Sequence, residues 1–147
     1  AVRGILYRRQ VWQALPIKRQ KTLQWRNWRG CSSLWAGDSG RYPDQLKRGM
    51  KKLQPGHFPP WDGDKLVGLV RGLDDGETVA FLHYLLVDPA YQGRHIGQEL
   101  MERILEKYKH MLHIKIMPSD PKTIPFYERF GFVAGGSYTA MELNQMQ

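Results

Sequence analysis

The stretch VDPAYQGRHIGQELM, Val87 to Met101, brings the end of an apolar run, two glycines, an arginine and the start of an amphipathic stripe into immediate succession. If the run is a strand and the stripe a helix, the glycines lie at a strand-to-helix junction. The amides of a first helical turn have no acceptor within the helix, and the positive end of the helix dipole points the same way. Gly93 and Gly97 let a ligand approach those amides, so the junction suits an anion such as a pyrophosphate. Arg94 either pairs with that anion or remains a solvated loop residue. Many α/β proteins place glycine at such a junction for steric reasons alone, and the segment by itself does not decide between the two. Two side chains elsewhere have proton chemistry: His83, inside the apolar run TVAFLHYLLVD, and Tyr127, in FYERFGF. His95, His110 and His113 do not stand in metal-ligand spacing with Cys31 or with one another, and no metal is expected.

The surrounding elements must hold these groups in place. GILYR, residues 4 to 8, reads as a short first strand, and residues 10 to 37 carry no clear period. In YPDQLKRGMKKLQPG, Asp44 can cap a helix with Leu46, Met50 and Leu53 on one face, stopped by Pro55 and Gly56. Trp61 to Leu73 reads as a hairpin around DGD, its first arm kept short by Pro59 and Pro60. A second turn at Asp74, Asp75 and Gly76 leads into TVAFLHYLLVD, which suits a strand buried on both faces and ended by Pro89. Ile96, Leu100, Met101, Ile104, Leu105 and Tyr108 form one helical stripe, and LHIKIM is a further strand. Asp120 and Pro121 predict an N-cap and first turn of a helix that runs to about Phe130 and ends at Gly131. Pro125 should remove one of its backbone bonds and bend it. Phe132–Val133 and Tyr138–Leu143 would close the sheet. Strands alternating with helices give the fold class: a single α/β domain over residues 1–147, around a mixed sheet flanked by helices.

QGRHIG resembles the motif of the GNAT N-acetyltransferase superfamily, in which Gln or Arg is followed by two residues, Gly, any residue, and Gly or Ala. DPKTIPFYERFGF is similar to the last helix and strand of the same superfamily, and WDGDKLVGLVRG to its second and third strands. The likeness covers about residues 42 to 143. It implies acetyl-CoA as cosubstrate, lying between a fourth and a fifth strand that splay apart; here these are TVAFLHYLLVD and LHIKIM. Carried over, the backbone of Leu85, Leu86 and Val87 bonds the pantetheine arm. Gln92, Gly93, Arg94, His95, Ile96 and Gly97 hold the pyrophosphate. Asp120 stands where many members have Asn near the pantetheine, which removes a donor. His95 stands where the motif has its middle glycine, so a backbone with positive φ is strained there. Tyr127 occupies the place of the family's general acid, or else packs against Phe126, Phe130 and Phe132. His83 lies where some members place a general base, or else is a hydrogen-bonded strand histidine. The implied acceptor is an amine on a small molecule or a peptide.

Net charge is +8, with 22 basic and 14 acidic residues. Arg3, Arg8, Arg9, Lys18, Arg19, Lys21, Arg26 and Arg29 fall in residues 1–37, where there is no Asp or Glu, so from Asp38 onward the chain is neutral. The same segment holds Trp12, Trp25, Trp28 and Trp35. A nucleic-acid-binding module using that basic, Trp-rich segment is the second reading, although the rest of the chain carries no net charge and no nucleic-acid motif. A non-catalytic acyl-CoA-binding domain is the third. The lone Cys31 forms no internal disulfide, and no apolar run approaches the ~20 residues of a membrane span. A cytoplasmic protein is expected, with no membrane partner, and a homodimer stays open. Residues 10–35 are either a diverged acceptor surface or a shifted reading frame. Residues 10–35 are predicted not to follow the family's ordinary first-helix pattern; intact mass and peptide sequencing of the expressed protein decide between the two explanations, and a mass matching the sequence eliminates the frame shift.

Overall fold

The computed structural model describes residues 41–51, 57–58, 60–63, 65–136 and 139–145; the expected strand at 4–8 and the aperiodic segment at 10–37 lie outside them. The elements are α1 (Pro43–Lys51), β1 (His57–Phe58), β2 (Trp61–Asp62), β3 (Lys65–Leu66), β4 (Gly68–Asp74), β5 (Val79–Val87), α2 (Ile96–Lys107), β6 (His113–Ile116) and α3 (Ile124–Glu128). Single 3₁₀ turns at Pro89–Tyr91 and Pro121–Thr123 precede α2 and α3. One sheet runs β1-β4-β5-β6, and β2 with β3 forms a separate two-stranded ladder. β4 is antiparallel to both neighbours, whereas β5 and β6 are parallel, so the sheet is mixed. Their parallel relation requires a crossover, which α2 supplies.

The α2 stripe is as its spacing predicts. Ile96, Leu100, Met101 and Ile104 are buried, with Tyr108 beyond them, against Val67, Val70, Ala80 and Leu82. The opposite face of the sheet receives Leu46 and Met50 of α1, which meet Leu69. At the C-terminal end of α2 the Tyr108 ring lies across Gly72. A Cβ on Gly72 would come within 2.7 Å of the Tyr108 Cζ and closer still to its Cε2 and hydroxyl oxygen. The Tyr108 hydroxyl donates to Asp74 Oδ2 at 2.7 Å, and Lys107 Nζ approaches the same oxygen at 3.2 Å. Between β4 and β5, Asp75 Oδ1 accepts the amides of Glu77, Thr78 and Val79, while Oδ2 accepts the Thr78 hydroxyl.

Several expectations are corrected. The arms around DGD pair only as Trp61 with Leu66 and Asp62 with Lys65. The chain then continues into β4, whose partners are β1 and β5. Asp44 is not the cap of α1 but sits in its first turn, because Pro43 takes the first helical position. β5 is not buried on both faces: only Ala80 and Leu82 are buried, since α2 covers one face and α1 reaches the other only near Leu69 and Tyr84. Pro125 does not bend a longer helix. The break falls ahead of it, and α3 starts at Ile124, so Pro125 stands where a helix needs no donor. Gly131, at φ +88°, ends this region as expected. Among the described residues, 132–136 and 139–145 form no strand. Val133, Met141 and Leu143 are exposed there, so the apolar side chains of the expected closing strands are not buried against a sheet face.

Two outcomes follow. Gly72→Ala should destabilise the fold by ~1–3 kcal/mol in urea denaturation, because the buried Tyr108 ring has no room to retreat. The carboxyl of Asp75 is held well below the usual range by the Thr78 hydroxyl and then by the three amides. A depressed folded pKa stabilises above the unfolded value of about 4 and is lost as pH falls below it. Asp75→Asn should therefore lower stability at pH 7 and narrow its gap to wild type on acidification, as read by thermal melts at several pH values.

Candidate functional site

β5 changes the parity of its side chains part-way along. Ala80 and Leu82 face α2, and so do Leu85 and Val87. The switch is a bulge, since Arg71 pairs with Tyr84 and Gly72 with Leu82, leaving His83 as the extra residue. As a result His83 and Tyr84 lie on one face, with ring centroids 4.0 Å apart. The bulge coincides with the end of the β5–β6 ladder, whose last pair is Leu82 with Ile116. Leu85, Leu86 and Val87 continue along β4, opposite Val70, Leu69 and Gly68. They extend beyond the last residue of β6 that pairs with β5.

After Val87 the chain turns through Asp88, whose Oδ1 accepts the amide of Ala90 at 2.9 Å. Asp88 is buried and pairs with Lys65 Nζ at 3.1 Å. Tyr91 donates to Asp62 Oδ2 at 2.8 Å. Two contacts thus moor this loop to the β2–β3 arms. Lys65 and Arg94 both lie over the Tyr91 ring, 5.0 and 4.9 Å from its centroid. Gln92 reaches back to the Val87 carbonyl at 3.5 Å. Gly93 has φ +77°, and His95 has φ 60°, the one positive φ among the described non-glycine residues. The strain expected at His95 is therefore present. The first main-chain bond into α2 runs from Glu99 N–H to the His95 carbonyl. Among the described residues, the amides of 93 to 98 have no main-chain acceptor. Ile96 is buried and anchors the helix start. A Cβ on Gly97 would meet Val87 Cγ2 at 3.6 Å and Phe126 Cζ at 3.7 Å, so β5, α2 and α3 converge here.

The profile of the Acetyltransferase (GNAT) family matches residues 22–132. The chain belongs to this family. The GNAT match begins earlier than the sequence motifs alone indicated, within the basic segment, and stops before the exposed tail. A solved GNAT family acetyltransferase from Streptococcus pneumoniae superposes with a TM-score of 0.60 and 26% identity, over 70% of this chain and 80% of the other. The N-alpha-acetyltransferase RimI of Mycobacterium tuberculosis is 27% identical over 105 residues, 69% of this chain and 66% of the relative. GCN5-related N-acetyltransferase 2, chloroplastic, from Arabidopsis thaliana is 32% identical over 72 residues, 48% of this chain and 28% of the relative. The chain matches about a third of the length of the first curated relatives.

Within this GNAT fold, the predicted residues separate into four groups. Gln92 to Gly97 and Leu85 to Val87 meet at one junction. Tyr127 lies on α3, packed edge-on against Phe126 at 5.1 Å and Phe132 at 6.3 Å, and burial raises its pKa. Asp120 is engaged locally: Oδ1 accepts the Lys122 amide at 2.9 Å, which is the capping role its Asp-Pro step predicts. His83 is partly exposed on the sheet and accepts from Arg71 Nη1 through Nδ1 at 3.3 Å. Arg71 was not among the expected site residues, although a lone charge in the apolar run GLVRGL was a usable signal. Tyr91 lies at the start of the expected loop, but its contacts with Asp62 and Lys65 were missed because they join residues far apart in sequence. Among the described residues, no group of three His, Cys, Asp or Glu side chains could hold a metal ion, and no helix is long and apolar enough to cross a membrane.

The loop conformation makes a testable ranking. His95→Gly relieves the left-handed strain but loosens the unfolded chain, so it should leave stability within ~1 kcal/mol of wild type. His95→Val should cost ~1–2 kcal/mol, because a β-branched residue tolerates that backbone worst. Chemical denaturation of the three proteins measures the order.

Proposed function

We propose that the chain is an acetyl-CoA-dependent N-acetyltransferase, built as one domain over residues 1–147, that moves acetyl to a primary amine by direct attack. One observation carries the reading: in a GNAT chain, β5 outruns its pairing with β6 and delivers the open amides of residues 93 to 98 beside its own end. The junction fits a pyrophosphate, since Gly93 and Gly97 add no side chain and Arg94 and Lys65 bring positive charge to its border. The backbone of Leu85, Leu86 and Val87 would take the pantetheine arm, and Gln92 to Gly97 the diphosphate. Asp120 stays with its own turn.

Acetyl-CoA supplies an activated thioester. In the transfer an N–C bond forms as the C–S bond breaks, the amine loses one proton to solvent, and the sulfur gains one. Tyr127 is the donor to that sulfur. Burial keeps its phenol protonated at neutral pH, and its hydroxyl makes no hydrogen bond among the described residues. The mycobacterial relative is named an N-alpha-acetyltransferase, so peptide α-amines head the acceptor series.

Gly97→Glu should abolish CoA binding in calorimetry, by filling the junction and repelling phosphate. Unchanged binding would move the site elsewhere. Tyr127→Phe should lower kcat ~10²-fold with acetyl-CoA affinity nearly unchanged, as CoA release and calorimetry report. Wild-type kcat under chemistry-limited conditions returns the proton donor to water. CoA binding without turnover on any amine supports the non-catalytic alternative.

A further inference from the structure

The parity switch puts Arg71 of β4 and His83 and Tyr84 of β5 on the face of the sheet that looks away from α2. The Arg71 guanidinium lies 5.7 Å from the Tyr84 ring centroid, and its Nη1 stands 3.3 Å from His83 Nδ1. A guanidinium has donors only and does not lose its proton in proteins. The Nδ1 lone pair therefore has to be the acceptor. A neutral imidazole carries one proton, so that proton is on Nε2.

We propose that Arg71 is a positioning residue: by donating to Nδ1 it fixes His83 as the neutral tautomer with its proton on Nε2, making His83 a hydrogen-bond donor where β5 leaves β6. This rests on the acetyl-transfer reading only for the task of the donor, which is to stabilise oxygen charge as the carbonyl is attacked. A ring whose one lone pair is already engaged does not take the proton of the acceptor amine. That proton passes to water, while the His83 proton is shared and not transferred. The surroundings act in the same direction. Partial burial and then the Arg71 charge lower the His83 pKa. From β6, Lys115 and His113 occupy the same face, since Ile114 and Ile116 point toward α2. From α1, the contacts with this end of the sheet are Leu46 and Met50. Among the described residues, the charge that acts on His83 is that of Arg71.

The test is a long-range ¹H–¹⁵N spectrum of the labelled full chain near pH 7, with His83 assigned by loss of its signals in His83→Gln. The expected result is an unprotonated Nδ1 and a protonated Nε2. Arg71→Met keeps a straight apolar stem against Tyr84. It should add Nδ1-protonated or imidazolium populations at His83 and raise its titration midpoint. A protonated Nδ1 in wild type, or an Arg71→Met protein with unchanged His83 signals, would falsify the lock. If Arg71→Met does not fold, Arg71→Leu, which also lacks a donor and keeps apolar contact with Tyr84, is compared in the same way. For the donor's task, His83→Leu should lose ~10-fold or more in turnover, and His83→Gln, which keeps a donor, should lose measurably less. Equal losses in both overturn it. Absence of turnover in wild type overturns the acetyl-transfer reading, and the spectrum still decides the tautomer.

Discussion

Helix α2 is held at both ends by contacts that leave little freedom. At its start, Gly97 sits between Val87 and Phe126; at its end, Tyr108 lies on Gly72 and bonds to Asp74. The stripe between them is buried against β4 and β5. Because displacing the helix would disrupt the packed stripe and the Tyr108–Asp74 bond, its first-turn amides are held beside the last residues of β5. Rigid packing at a distance thus does for these amides what a ligand would otherwise have to do on arrival.

The bulge at His83 has a different physical character. An extra residue in a strand is unfavourable to ladder continuity, yet here it falls where β5 loses its neighbour on the other side. One local irregularity reverses the side-chain alternation and aims His83 and Tyr84 to a shared face. The Arg71 contact then selects which ring nitrogen is free. Strand pairing, side-chain direction and proton location are consequences of the same inserted residue.

The parts of the fold that were readable from sequence were those with a local cause. The α2 stripe, the Asp120–Pro121 cap, the stop at Gly131 and the left-handed backbone at His95 each follow from residues within a turn or two of one another. The bulge was hidden because VAFLHYLLV is apolar nearly throughout, so a change of parity leaves no trace in hydrophobicity. β1 was missed because it is two residues long and its pairing to β4 depends on distant chain. The closing strands expected at Phe132–Val133 and Tyr138–Leu143 do not form among the described residues there, where Val133, Met141 and Leu143 are left exposed. Of the site, the glycine loop was legible as a motif. The mooring by Lys65, Asp62, Asp88 and Tyr91 was not, since ion pairs across long sequence separations have no pattern along the chain.

The open amides of residues 93 to 98 also set an uneven clock on the molecule. Amide hydrogens within α2 are shielded by their helical bonds and by the packed stripe, so they exchange with solvent only when the helix opens. Those just ahead of Glu99 have no such protection, although they belong to equally well-anchored backbone. Exchange at this junction therefore reports occupancy and not unfolding: whatever covers these groups slows them directly, while the rest of the helix keeps its own pace.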